Sequence, residues 1–212
     1  MLLQEGAADV GFAKVPDGPF GENSYAISIV IRLSDAVVDE IDGEPTHTYF
    51  HHYRTVNAFI DRLVLKTGII LQNHGYKYIP IGASQSININ GWNYNGRYSH
   101  KKAASLAHLG GIGKNSLFLH KNYGARVRLG TLFTNCEFET KQEKYHSPCT
   151  ECDRCVKACP SGAIKGMLWQ PGTERSQVFD PEKCSEYMKK NLSNTPVVAP
   201  LPVLIVATYD EK

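Results

Sequence analysis

The chain has 212 residues, 42% of them hydrophobic, with 8 Phe, 11 Tyr and 2 Trp, which excludes a disordered chain and fits one medium domain with a small appendage. Lys plus Arg number 23 and Asp plus Glu 21, so a net charge of +2 gives no basic surface of the kind a nucleic-acid binder carries. No apolar run reaches the roughly 18 residues of a membrane span, and the start shows no secretory pattern, so a cytoplasmic protein is expected.

Residues 25–32, Tyr-Ala-Ile-Ser-Ile-Val-Ile-Arg, are rich in β-branched side chains and predict a strand buried on both faces. Asp35 is the expected N-cap of a short helix carrying Val37, Val38 and Ile41. A long helix is predicted over residues 45–73. Its buried stripe is Tyr53, Val56, Ile60, Leu63, Thr67 and Ile70, at steps of three and four, and Gly75 stops it. Residues 76–81 predict the next strand, completing a strand–helix–strand unit of an α/β fold.

Residues 84–99 are polar and predict a long loop. A helix over residues 100–109 and a strand over residues 126–134 follow. Asp180 and Pro181 open a last helix carrying Cys184 and Tyr187. The apolar residues 197–209 predict a buried strand. The almost wholly polar stretch around 138–146 marks the expected division, giving an α/β domain over 1–140 and a small cysteine-bearing domain over 141–212.

Of the six cysteines, four stand in Cys149-Thr-Glu-Cys152-Asp-Arg-Cys155-Val-Lys-Ala-Cys159-Pro160. In a reducing compartment, clustered thiols bind metal rather than pair as disulfides. The spacing C-x2-C-x2-C-x3-C-P is that of bacterial ferredoxins. Three thiolates on a tight loop wrap one [4Fe–4S] cubane, and the fourth points to another cluster. A zinc knuckle is the competing reading, but zinc sites favour two separated pairs of ligands. Cys149, Cys152 and Cys155 supply three ligands, and the fourth is sought among Cys184, Cys136 and Cys159. Two full clusters need eight cysteines, so one cluster is expected.

The segment Gly110-Gly111-Ile112-Gly113-Lys114-Asn115 matches neither standard nucleotide loop. His108 stands where a Walker A motif has its first Gly, Asn115 follows Lys114 in place of Ser or Thr, and G-x-G-x-x-G is absent. The glycines read either as a tight helix-to-strand turn or as backbone lying against a cofactor edge. Proton donors for a reduction are sought among Tyr94, Tyr98, His100 and Lys101. His47 and His51 stand four apart but lack a third ligand. With His52, His108 and His120, they are read as structural or solvated.

Residues 107–117 and 124–135, together with the cysteine run, resemble the core of epoxyqueuosine reductase and its relatives, which include short iron–sulfur proteins and the reductive dehalogenases. The resemblance spans roughly residues 1–190. It implies a nitroreductase-like α/β domain that holds a corrinoid, or alternatively FMN, followed by a ferredoxin-like domain. It further implies cluster-fed reduction of a small molecule, with a redox partner protein. A non-enzymatic electron carrier docking to a partner reductase, alone or as an oligomer, is the second reading. Carried over by position, the first-cluster ligands are Cys149, Cys152 and Cys155, and the second-cluster ligands are Cys159 and Cys184. Gly110, Gly111, Gly113, Lys114 and Asn115 would face the corrinoid. The family's second cysteine run after Cys184 has no counterpart in residues 193–212. Its acidic residue ahead of the glycines falls on Tyr94, and its tRNA-holding extension is absent, so epoxyqueuosine reduction itself is not expected.

Overall fold

The computed structural model describes residues 1–87, 94–140 and 147–191; the strand expected over 197–209 lies outside them, as do 88–93 of the long loop and most of the expected division at 138–146. Among the described residues, no helix is long and apolar enough to cross a membrane. The chain forms two compact units whose segments interleave. One comprises Met1–Arg32, Thr55–Gly110 and Val127–Tyr145, and the other Leu33–Arg54, Gly111–Arg126 and the cysteine region from His146. The division expected at residue 140 puts 33–54 and 111–126 with the α/β part, whereas here they belong to the unit that carries the cysteine region. The 27-residue helix α2 (His47–Asn73) crosses from the second unit into the first at Arg54 and Thr55.

The first unit is built on a sheet of β1 (Asp9–Lys14), β2 (Tyr25–Arg32), β3 (Tyr78–Ile81) and β6 (Val127–Thr134) in the order β1-β2-β6-β3. Every pairing is antiparallel, so β2 and β3 run the same way with β6 between them, as in a split strand–helix–strand unit. β2 is buried from Tyr25 through Ile31, as a central strand covered on both faces must be. Tyr53, Val56, Ile60, Leu63 and Thr67 of α2 are buried as expected. Ile70 is instead 37% exposed and Val64 is buried in its unit's core. Thr67 donates its hydroxyl to the Leu63 carbonyl at 2.8 Å, which removes the cost of burying it. Gly130 of β6 lets α2 come close, since a Cβ there would lie 2.5 Å from Ile60 Cγ2. Helix α3 (His100–Leu106) begins at an N-cap on Ser99, whose hydroxyl accepts from Lys102 N. It ends before the expected Leu109, because His108 adopts φ +57°, outside the helical region.

In the second unit, the N-cap of α1 (Asp35–Asp39) is Ser34 rather than the expected Asp35. Asp35 and Asp39 instead bind Arg126 at 3.4 and 2.8 Å. Strands β4 (Gly110–Ile112) and β5 (Phe118–His120) form a two-stranded sheet. Gly110 and Gly111 are therefore strand residues, and the turn lies further on, where Gly113 N donates to the Leu117 carbonyl at 2.9 Å. The cysteine region carries α4 (Arg154–Ala158), the single turn α5 (Arg175–Val178) and α6 (Pro181–Asn191). Asp180 caps α6 by accepting from Lys183 N at 3.1 Å, and a bridge between Ile164 and Phe179 ties the cysteine loop to the segment before it.

Candidate metal centre

The loop from Cys149 to Cys155 holds its thiols at graded exposure: Cys152 is exposed, Cys149 half-buried and Cys155 buried at the start of α4. Burial pushes the Cys155 thiol up, and the charges of Cys149 and Cys152 add to it, so the three sulfurs share one electrostatic neighbourhood. Among the described residues, no three His, Cys, Asp or Glu side chains gather tightly enough for a single metal ion. Thiolates at the corners of a cubane stand farther apart than the ligands of one ion, and this donor set suits such a cluster.

Cys159 and Cys184 form a second neighbourhood. Both are buried, and both are set by the local fold: Cys159 ends α4, and Cys184 lies one turn into α6. Burial acts to raise the Cys159 thiol, but the Ser161 hydroxyl and the amides of Ile164, Ala163 and Ser161 outweigh it and bring it below its ordinary value. Burial together with the nearby Cys159 charge pushes Cys184 up to about 11. Cys136 belongs to the other unit, where its sulfur lies 3.9 Å from the Glu137 carbonyl.

The glycine turn belongs to the same unit as the cysteine loop and packs on it. Lys114 N donates to Cys149 Sγ at 3.4 Å, and Lys114 Nζ binds Asp153 Oδ1 at 2.7 Å. A Cβ on Gly113 would lie 2.7 Å from Asn115 Oδ1, 3.0 Å from Leu119 Cδ1 and 3.3 Å from Cys149 Sγ. The Asn115 side chain accepts from Leu117 N at 3.0 Å and shapes the turn itself. Gly113, Lys114 and Asn115 thus shape the turn and its contact with the cysteine loop. Asp153 went unnoticed in the sequence. It stands 39 residues from Lys114, and an acidic residue inside a cysteine loop carries no signal of its own.

The four expected proton donors lie in the first unit. Tyr98 donates its hydroxyl to Asp17 at 3.1 Å, its ring meets Phe133 edge-on, and Lys102 also binds Asp17. Burial first, then the Asp17 charge, pushes the Tyr98 hydroxyl far above its usual range, so it stays protonated. His100 uses both ring nitrogens. Nε2 lies 3.1 Å from the Gly82 carbonyl, which can only accept, so Nε2 carries the proton and Nδ1 accepts from the Thr131 hydroxyl at 2.8 Å. Tyr94 is half-buried with φ +55°, and Lys101 is half-buried on α3. His52 accepts from Ser34 N through Nε2, and His120 is buried and stacked on Tyr123, as expected of structural histidines.

The 4Fe-4S binding domain family matches residues 145–165. The chain is 39% identical over 71 residues to epoxyqueuosine reductase of Listeria monocytogenes, a stretch covering 34% of this chain and 18% of that protein. It is 37% identical over 93 residues to the enzyme of Synechocystis sp., covering 43% and 28%. This chain is related to the epoxyqueuosine reductases. The fold agrees. The structure of epoxyqueuosine reductase from Streptococcus thermophilus matches with a TM-score of 0.59 at 19% identity, over 98% of this chain and 63% of that one. A reductive dehalogenase whose structure is described as suggesting a mechanism for B12-dependent dehalogenation matches with a TM-score of 0.64 at 17% identity, over 86% and 27%. The fold is thus the α/β type of these proteins with a ferredoxin-like iron–sulfur part. The matched stretches span under a third of the curated relatives' length.

Proposed function

We propose that this protein is an iron–sulfur reductase. In this reading a [4Fe–4S] cluster on Cys149, Cys152 and Cys155 passes electrons to a corrinoid held by the α/β unit, and a small molecule is reduced there. The observation that carries the reading is the grouping of the thiols: three share one neighbourhood in a loop of ferredoxin spacing, and Cys159 and Cys184 share another. The corrinoid rests on kinship with the epoxyqueuosine reductases and on a fold shared with a B12-dependent dehalogenase. When bound, a reduced corrinoid supplies a cobalt nucleophile or electron donor for cleaving a carbon–heteroatom bond. On the protein side, exposed Cys152 gives electrons from a donor protein an entry, and buried Cys155 leads inward.

The test is anaerobic purification with iron, sulfide and cobalt counted per chain, followed by titration of the metal-replete protein with cobalamin. About four irons and four sulfides per chain are expected for one cubane, with saturable cobalamin binding that changes the cobalamin spectrum on reduction. Zinc in place of iron overturns the cluster. A full cluster with no cobalamin binding overturns the corrinoid and leaves an electron carrier.

A further inference from the structure

We propose that Lys114 and Asp153 are a pair of opposed charges that sets the midpoint potential of the cluster on Cys149, Cys152 and Cys155, Lys114 raising it and Asp153 lowering it. The inference rests on the cluster reading above and names its tuning residues.

Three observations place Lys114 against the ligand loop. Its backbone N–H points at Cys149 Sγ at 3.4 Å. The preceding Gly113 admits that approach, because any Cβ there would press on Cys149. Its ammonium ends on Asp153, which sits between Cys152 and Arg154 in the ligand loop. The Lys114 charge also reaches the sulfurs of Cys149 and Cys155, in addition to Asp153 itself. Potentials of such clusters follow net local charge, hydrogen bonds to sulfur and solvent access. Reduction adds one electron to the cluster and makes or breaks no bond, so a nearby cation favours the reduced state and a nearby anion opposes it.

The two charges do not cancel, because their surroundings differ. The Lys114 side chain is 9% exposed and Asp153 is 50% exposed. Water screens Asp153 far more than Lys114, so the cation dominates. A plain structural clamp has a different signature. Breaking it from either end would loosen the same loop and move the potential, if at all, in one direction.

The experiment uses the anaerobically purified, cluster-loaded protein and its K114M, K114R and D153N variants, each with iron counted. Potentials are read by electron paramagnetic resonance during titration with dithionite and mediator dyes, each cluster taking up one electron. K114M should lower the reduced-to-oxidised ratio at the wild-type midpoint about tenfold, which is about 59 mV for one electron. D153N should raise the ratio by a smaller factor, and K114R should stay near wild type. Shifts of the same sign in K114M and D153N overturn the proposal, as does iron retained without any shift. If K114M loses its iron, D153N decides alone, since it keeps Lys114: no upward shift overturns the proposal. A wild-type chain that takes up no cluster overturns the underlying function instead, and this inference with it.

Discussion

Cys184 lies beside Cys159, both buried, and the two thiols are driven in opposite directions. Cys159 is lowered by the hydroxyl and amides around it, while burial and its neighbour push Cys184 up to about 11. In metal-free protein, a small alkylating reagent should therefore modify Cys159 at lower pH than Cys184, since only the thiolate reacts. Mass spectrometry of the two peptides across a pH series reads this directly. Parallel modification of both would show that the asymmetry is absent.

Loss of single cysteines should separate the groups. Cys149→Ala, Cys152→Ala and Cys155→Ala should each abolish the iron–sulfur absorbance, because each removes one of the three thiolates that the ferredoxin-type loop offers a cubane. Cys136→Ala should keep wild-type iron content, as its thiol stands outside the ferredoxin-type run. Iron analysis of the four variants checks both expectations.

His100 should make the fold acid-sensitive. Burial lowers its pKa, with the Arg128 charge acting in the same direction. The unfolded chain then binds the proton more readily than the folded one. The stabilising contribution is complete above the unfolded value of about 6.5 and is lost as pH falls through the lower folded value. Urea melts at neutral and at mildly acidic pH should show lower stability in acid. His100→Gln should flatten that dependence, and an unchanged slope in this variant would remove His100 as its source.

Gly130→Ala tests the seat of α2 on the sheet. The new methyl meets Ile60 Cγ2 at 2.5 Å in a core where Ile60 is fully buried. Overpacking of this kind costs about 1–3 kcal/mol. Shortening Ile60 to Ala in the same background should restore part of the loss, a non-additivity that a double-mutant cycle measures.

Much of this was legible in the chain itself. β2 announced itself through an unbroken β-branched run, α2 through its three-and-four periodicity, and α6 through Asp180-Pro181. The ferredoxin spacing located the metal loop, because ligand geometry is local. β1 went unread, since Asp-Val-Gly-Phe-Ala-Lys has no pattern of its own and is a strand because β2 pairs with it. The sequence offered Gly110 and Gly111 as a turn or as backbone against a cofactor edge and missed β4 for the same reason: that strand exists through its partner β5. His100 was a proton-donor candidate by residue type, and its partners Gly82 and Thr131, far away in the chain, carry no signal in the sequence.

The position of β6 bears on how the molecule is made. β2 and β3 each pair with it, Tyr25 and Tyr78 both opposite Thr134. On a ribosome, β3 must wait without its partner until β6 emerges, and β2 waits with only β1 beside it. Contacts this distant in sequence form slowly. The sheet therefore closes late, and the cysteine loop emerges soon afterwards. A nascent chain stalled before Thr134 would expose an unpaired β3 edge, the kind of surface that holding chaperones cover.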